Sequence, residues 1–185
     1  MLVRNMAIAA LAVLTLVFAP SVGRAQAGTV VVPYENMVSV LSAYHGMPGK
    51  DYWAKLNPEA TRATLIGISN DEKLFPAVRA RAMLALAYFK NDEAVSLVVK
   101  KSKGDLNPYI RATAIEALAA LEGEKAVTSV GPGLEDVDVM VRISAIRALK
   151  KIGTPEAKKT LEGAMATEKN PTARSILQKS LGDIR

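Results

Sequence analysis

The chain has 185 residues, of which half are apolar, and its 24 basic and 18 acidic side chains give a net charge of +6 at pH 7. It contains one histidine and no cysteine, which excludes disulfide bonds and any metal site built from histidine and cysteine ligands. The positive charge suits a solvated, soluble surface or an anionic partner, and we favour the solvated surface.

Residues 1–27 have the organisation of an export signal. Arg4 precedes an apolar run of 14 residues from Met6 to Ala19, and Ala25-Gln26-Ala27 supplies the small residues of a cleavage site. The run is shorter than the roughly 20 residues of a membrane-spanning helix. We therefore expect cleavage near Ala27 and an exported protein, periplasmic or secreted, that does not span the membrane. The remaining 158 residues carry 22 basic and 18 acidic side chains, a net charge of +4.

Residues 28–72 are predicted to form an N-terminal helical cap or a degenerate repeat. Proline and capping signals predict a helix from Pro33 to Tyr44, an irregular stretch from Gly46 to Asn57 and a helix from Pro58 to Ser69. Four aromatic residues gather in this segment: Tyr34, Tyr44, Tyr52 and Trp53. We expect them to pack within the cap, and the alternative is an exposed binding hot spot.

Residues 73–185 contain an internal repeat. Arginines recur at intervals of 32, 31 and 32 residues, with alanine or leucine three residues later and leucine seven residues later. The repeated positions are Arg79, Arg111, Arg142 and Arg174; Ala82, Ala114, Ala145 and Leu177; and Leu86, Leu118, Leu149 and Leu181. Segments of this length cannot cover their own apolar faces, so about three or more must stack in register. Pro48 stands where a preceding repeat would carry its arginine.

Turn residues divide this array into helix pairs. Asn57-Pro58, Asn107-Pro108, Thr154-Pro155 and Asn170-Pro171 each place a capping side chain before a proline at the first helical position. The predicted pairs are 76–90 with 92–103, 108–122 with 124–137 and 139–152 with 155–167, followed by a single helix over 171–181. Gly123 and Gly153 lie at the turns within two of the pairs. The sequence thus predicts an all-α chain of about three and a half helix pairs behind the N-terminal cap.

The repeated pattern is Pro-x-Val/Ile-Arg-x-x-Ala, followed by leucine, a glycine or polar turn and a second helix that carries alanine. Over residues 73–185 it resembles the short HEAT-like repeats first described in phycobilisome lyases. The resemblance implies a right-handed α-solenoid whose second helices line a concave, protein-binding surface. It carries over no catalytic residue, because a bilin-attachment activity belongs to only some members of that family.

The repeated arginines have acidic residues at a fixed distance. Asp105 precedes Arg111, Asp136 precedes Arg142 and Glu168 precedes Arg174, each by six residues, whereas Arg79 has Lys73 at that position. Arginine in the first turn of a helix faces the positive end of the helix dipole and needs compensation. We expect each carboxylate to accept two hydrogen bonds from a guanidinium and to link the repeats in a structural ladder. The alternative is a row of arginines that binds phosphate.

Two features of the predicted second helices are candidates for partner binding. Lys100, Lys101, Lys103, Lys125, Lys158 and Lys159 would form a basic stripe for an acidic protein or an anionic envelope polymer, or else a set of solvated lysines at helix ends. Gly131-Pro132-Gly133 interrupts its helix, because proline removes a backbone donor. We favour a helix that ends at residue 130 and continues as a loop, and a kink that forms a partner slot is the alternative.

Catalytic signals in the sequence are weak. His45 has no cysteine with which to pair, and the spacings of calcium loops, phosphate loops and the Gly-x-Ser-x-Gly nucleophile do not occur. Glu135, Asp136 and Asp138 fit a charged surface loop with a capping role better than acid–base catalysis. Nucleic acid is disfavoured as a partner, because the chain lacks a dense basic face interleaved with aromatic residues. We expect no cofactor and no metal.

The sequence therefore predicts a non-catalytic scaffold or adaptor of the cell envelope that binds a protein through the concave face of a solenoid. The alternative is a lyase-like enzyme or cofactor-handling protein that cradles its substrate there. A deep pocket with converging ionisable groups would favour the enzyme, and a shallow groove would favour the scaffold.

Overall fold

The structure is a computed structural model that describes residues 28–43 and 46–184, and these residues fold as an all-α chain. The predicted export signal, Tyr44 and His45 lie outside the described residues. The helices are α1 (Tyr34–Ser42), α2 (Lys50–Trp53), α3 (Pro58–Asn70), α4 (Pro76–Ala85), α5 (Asp92–Gly104), α6 (Pro108–Glu122), α7 (Val127–Val130), α8 (Val139–Ile152), α9 (Pro155–Ala164) and α10 (Pro171–Asp183). Among these described helices, none combines the length and the apolar character that crossing a membrane requires.

The helices stack as a solenoid of HEAT-like pairs. We call α1, α4, α6, α8 and α10 the first helices and α3, α5, α7 and α9 the second helices. Each first helix packs on the next first helix and also on the second helix that precedes it in the chain. The repeat therefore propagates through neighbours alone, as expected for segments that cannot bury their own apolar faces.

The helices begin and end at the signals read from the sequence. The side chains of Asn57, Asn107, Thr154 and Asn170 each accept a hydrogen bond from a backbone N–H in the first turn, at 2.9, 2.9, 3.2 and 3.0 Å, and a proline follows each of them. Gly123 and Gly153 end α6 and α8 with φ values of 58° and 69°, which side chains with a Cβ adopt at a cost. The capping predictions are confirmed.

Alanines set the spacing between the first helices. Ala82, Ala114 and Ala145 are completely buried, and so are the leucines four residues after each of them. A small side chain lets two helix backbones approach, and the leucine fills the space one turn further on. Leu177 takes the place of alanine in the last helix and is also completely buried. The repeated positions found in the sequence therefore form one continuous core.

Contacts between repeats differ between the two sets of helices. Successive first helices pack directly along their lengths, whereas successive second helices meet at few residues. The buried alanines of the first helices allow this close packing. The expectation that the second helices line the concave surface stays a prediction.

The N-terminal segment packs through its aromatic residues against Tyr88 and Phe89, which follow α4 in the chain. Trp53 is buried, its ring lies 5.7 Å from the ring of Tyr88 in a stacked arrangement, and its Nε1 donates to the carbonyl of Pro48 at 2.9 Å. Val30 pairs with Leu56 in a short parallel bridge, which ties down the start of the described chain. Trp53 is thus a core residue, as the packing interpretation expects, and its buried ring is not an exposed hot spot.

The Gly131-Pro132-Gly133 segment packs against the first helices. The second helix of this repeat runs as a 3₁₀ segment (Gly123–Ala126), then α7, then a second 3₁₀ segment (Gly131–Glu135) instead of ending in a loop. A Cβ added to Gly133 would overlap the Cδ1 of Ile115 and lie 3.1 Å from the Cβ of Ala145. Gly133 is therefore needed for close packing. This packing explains the glycine without the partner slot that was the alternative for this segment.

We expect Gly133→Ala to lower the free energy of unfolding by about 1–3 kcal/mol, because the added methyl group meets the buried Ile115 and the rigid Cβ of Ala145. Gly163→Ala is the matched control. Gly163 lies in α9 with open space around its Cα, so the same change there should raise the free energy of unfolding by about 0.5–1 kcal/mol. Urea unfolding measures both values, and equal effects of the two substitutions would contradict this account.

Candidate functional site

The arginine ladder exists, but each arginine reaches the carboxylate of the following repeat. Arg111 Nε and Nη2 donate to Asp136 Oδ2 and Oδ1, both at 2.8 Å, across 25 residues. Arg142 Nε and Nη2 donate to Glu168 Oε2 and Oε1 at 2.7 and 3.1 Å. Arg79 Nη2 lies 3.2 Å from Asp105 Oδ2. The predicted pairing of each arginine with the carboxylate six residues before it is therefore wrong.

The residue six positions before Arg111 and before Arg142 contributes its backbone carbonyl instead. Arg111 Nη1 donates to the carbonyl of Asp105, and Arg142 Nη1 donates to that of Asp136, both at 2.8 Å. These two guanidinium groups thus contact their own loop with one edge and the next repeat with another. The sequence spacing was a true signal, but it did not distinguish a carbonyl partner from a carboxylate partner.

The ladder acids also shape the loops that precede the first helices. Asp105 Oδ1 accepts the N–H of Asn107 at 3.0 Å, Asp136 Oδ1 accepts that of Asp138 at 2.8 Å, and Glu168 Oε1 accepts that of Asn170 at 2.8 Å. Each of these second residues then caps its helix. One carboxylate therefore links the preceding arginine to the start of the next helix. Asp136 and Asp138 have these structural roles, as the capping interpretation of the acidic run expects.

The ion pairs lower the pKa values of two ladder acids. The hydrogen bonds from Arg111 hold the pKa of Asp136 below its usual value, and those from Arg142 do the same for the pKa of Glu168, against the opposing effect of burial. A carboxylate with a lowered folded-state pKa stabilises the fold above its unfolded pKa of about 4. That contribution is lost as the pH falls through the folded-state pKa.

A tyrosine replaces the arginine at the N-terminal end of the ladder. Tyr34 Oη donates to Asp71 Oδ2 at 2.8 Å, while Asp71 Oδ1 accepts the N–H of Lys73 at 3.0 Å, as the ladder acids do in later loops. Burial and the nearby Asp71 raise the pKa of Tyr34 to about 12. The residue that stands in for the missing arginine is therefore Tyr34 on α1 rather than Pro48. The single hydroxyl of tyrosine cannot make the two hydrogen bonds that a guanidinium makes to a carboxylate. The repeat pattern of the sequence therefore does not reveal Tyr34 as a member of the ladder, and only the structure shows it.

We expect Arg111→Met to lower the free energy of unfolding by about 3 kcal/mol, because it leaves the half-buried carboxylate of Asp136 without its guanidinium. Arg174→Met is the matched control: the described residues show no carboxylate at Arg174, which is exposed, so the loss should stay below about 1 kcal/mol. Urea unfolding of both variants checks the comparison. Losses of equal size would show that the carboxylate pairing does not stabilise the stack.

The six candidate lysines do not share one environment. Lys101 Nζ lies 3.3 Å from Asp105 Oδ2 and joins the ladder, and Lys158 Nζ donates to the carbonyl of Ile184 at 3.1 Å. The other four, Lys100, Lys103, Lys125 and Lys159, are exposed. Lys100 and Lys103 lie on α5, Lys125 in the 3₁₀ segment before α7 and Lys159 on α9. That these four lysines form a basic stripe for a partner stays a prediction.

A groove of about 400 Å³ lies between α4, α6 and α8. Its lining is Leu84, Tyr109, Ala112, Thr113, Glu116, Met140, Ile143, Ser144 and Arg147. Ser144 Oγ donates to Glu116 Oε1 at 3.2 Å across the groove, which links α8 to α6. One acid and one arginine, Glu116 and Arg147, are the ionisable groups of an otherwise apolar and hydroxyl-bearing lining. We call this surface the first-helix groove.

Exposed apolar side chains recur at the first-helix groove and in the adjoining loops. Tyr109 and Met140 are 42% and 52% exposed and occupy equivalent positions, two residues before Arg111 and Arg142. Leu106 and Val137, three residues earlier in each repeat, are 97% and 93% exposed. Large apolar side chains that are exposed close together are typical of interaction surfaces, so this set is a candidate for one. Sequence reasoning missed Tyr109 and Met140 because Ala77 and Thr172 occupy the equivalent positions of the first and last repeats.

The comparisons with known proteins agree with this fold. The family described as HEAT repeats matches residues 67–131 and 103–182. A structure of human deoxyhypusine hydroxylase in complex with glycerol has a TM-score of 0.55 and 24% identity, over 66% of this chain and 43% of the hydroxylase chain. A structure of the complex of CpcE and CpcF of phycocyanin lyase from Nostoc sp. has a TM-score of 0.54 and 15% identity, over 80% of this chain and 96% of that chain. At these identities the two structures show a shared fold. A comparison with curated proteins gave no match.

Proposed function

We propose that this chain, which belongs to the HEAT-repeat family, is a non-catalytic scaffold that holds a protein partner in its first-helix groove. The observation that carries the proposal is the apolar surface of the first helices, where Tyr109 and Met140 are half exposed and line the groove. HEAT repeats commonly mediate contacts between proteins. We further propose that the scaffold acts in the cell envelope or outside the cell, on the basis of the export signal read from residues 1–27.

The chemistry of the first-helix groove suits a partner that supplies apolar side chains. Tyrosine and methionine bury large contact areas, and methionine adapts its shape to different partners. The groove stands on helices that pack tightly through buried alanines, so binding does not have to order a flexible surface. Glu116 and Arg147 supply opposite charges that can fix the orientation of the partner.

The second candidate function is a lyase-like or cofactor-handling activity in the same groove. It is favoured by the names of the two similar structures, a lyase complex and a hydroxylase. Acid–base chemistry needs ionisable groups that converge on the reacting atoms. The charged side chains of the groove are Glu116 and Arg147. Among the described residues, no group of three or more metal-binding side chains occurs. The scaffold is the function that this lining supports better.

We expect a double substitution, Tyr109→Gln with Met140→Gln, to abolish capture of the partner when the chain without residues 1–27 is immobilised and exposed to an extract of its source cells. Both side chains are exposed, so the fold should be retained while the apolar contact is lost. Mass spectrometry of the proteins retained by each variant gives the measurement, and melting curves show that the variant is folded.

A second double substitution, Lys100→Glu with Lys159→Glu, is the control. These lysines are exposed on the second helices, so the control should retain the same proteins as the unmodified chain. The proposal would be overturned if the lysine variant lost the partner while the groove variant kept it. A small-molecule product formed by the purified chain, and lost on Glu116→Gln, would instead support the enzymatic alternative.

A further inference from the structure

Each inner arginine of the ladder binds with two separate edges. Nη1 of Arg111 and of Arg142 donates to backbone carbonyls of the preceding loop, which fixes the plane of the guanidinium. The edge formed by Nε and Nη2 then holds both oxygens of a carboxylate in the next repeat. The fold thus contains two arginines, Arg111 and Arg142, that bind a carboxylate in the same way.

Arg174 has the first edge in use and the second edge open. Its Nη1 donates to the carbonyls of Met165 at 2.6 Å and Glu168 at 3.2 Å. The bond to Glu168, six residues before, repeats one contact of the inner arginines, whereas Met165 lies nine residues before and replaces their contact five residues before. Within residues 28–43 and 46–184, no acceptor lies at its Nε or Nη2, and the side chain is exposed. The last guanidinium of the ladder is therefore held by its own loop, while the described chain offers no carboxylate for it.

The surface of α10 beside Arg174 is polar. Ser175 and Gln178 are exposed there, whereas Ala112 and Ile115, the equivalent residues of α6, are buried between repeats. A further helix pair would have to bury these polar side chains, so this end of the stack is a solvated cap. A ligand for this surface must therefore be recognised by polar groups.

The charges around Arg174 favour an acidic ligand. Two described carboxylates at the C-terminal end of the stack are already engaged in ion pairs: Glu168 pairs with Arg142, and Asp183 pairs with Lys150. Lys169 and Lys179 are exposed and lie five residues to either side of Arg174. A guanidinium fork matches the two oxygens of a carboxylate in geometry as well as in charge.

We infer that the C-terminal end of the stack is a binding site for an aspartate or glutamate side chain of an acidic peptide segment, and that Arg174 Nε and Nη2 hold its two carboxylate oxygens. The site lies outside the first-helix groove and does not depend on what the groove binds. It would give a partner that crosses the end of the solenoid a second, charged point of attachment.

The test uses the side-chain Nε–Hε resonance of Arg174 in the ¹⁵N-labelled chain. The probe is an acetylated and amidated heptapeptide that copies residues 132–138, the acidic loop whose Asp136 already pairs with Arg111. Titration should shift the Arg174 resonance, and the same peptide with asparagine in place of the aspartate that copies Asp136 should bind about tenfold more weakly. Arg174→Lys keeps the charge but removes the fork; its peptide binding, followed through the backbone amide resonances of α10, should be weaker by a similar factor.

Arg62→Lys is the matched control, because Arg62 lies on α3, outside both α10 and the first-helix groove, and it should leave peptide binding unchanged. Equal binding of the aspartate and asparagine peptides would overturn the inference. A shift of the Arg174 resonance on addition of inorganic phosphate but not on addition of acetate would also overturn the inference. A shift of the Arg174 resonance that depends on protein concentration and not on peptide would also overturn it, since the occupant would then be a second copy of the chain. Loss of partner capture by the groove variant leaves this result unaffected, so the two proposals fail separately.

Discussion

The ion pair between the arginine of one repeat and the acid of the next is the interaction on which the arrangement of this solenoid depends. Arg111 and Arg142 each hold both oxygens of a carboxylate 25 or 26 residues further along the chain. The same carboxylates accept a backbone N–H at the loop before the next first helix. A half-buried charge is costly unless it is paired and fully hydrogen-bonded, and this network meets both conditions. Each pair thereby fixes where the following helix begins.

Packing between the first helices follows from this fixed start. With the helix origins set, completely buried alanines let successive first helices approach, and Gly133 lets a 3₁₀ segment of the neighbouring second helix pack against Ile115 and Ala145. The side of the stack formed by these first helices carries the first-helix groove. The surface proposed for partner binding is thus a product of the same contacts that hold the repeats together.

The helix pairs and their caps were predictable from the sequence, because the arginine and alanine positions recur at the length of one pair and asparagine-proline steps mark the helix starts. The direction of the ladder was not predictable. Asp136 lies six residues before Arg142 and 25 after Arg111, and spacing alone cannot tell which of the two its carboxylate meets. Tyr109 and Met140 were not predicted as binding residues, because the residues of a binding surface do not have to recur in every repeat. Ala77 and Thr172 occupy the equivalent positions of the first and last repeats.

A double-mutant cycle on Arg111 and Asp136 tests most directly whether the ladder couples one repeat to the next. The free energy of unfolding is measured for the unmodified chain, Arg111→Met, Asp136→Asn and the chain with both substitutions. The account predicts that the sum of the losses in unfolding free energy of the two single variants exceeds the loss of the double variant by about 2 kcal/mol. Removing either partner leaves the other charge buried without its ion pair. Losses that simply add would contradict it, since the pair would then make no contribution of its own to holding the repeats in register.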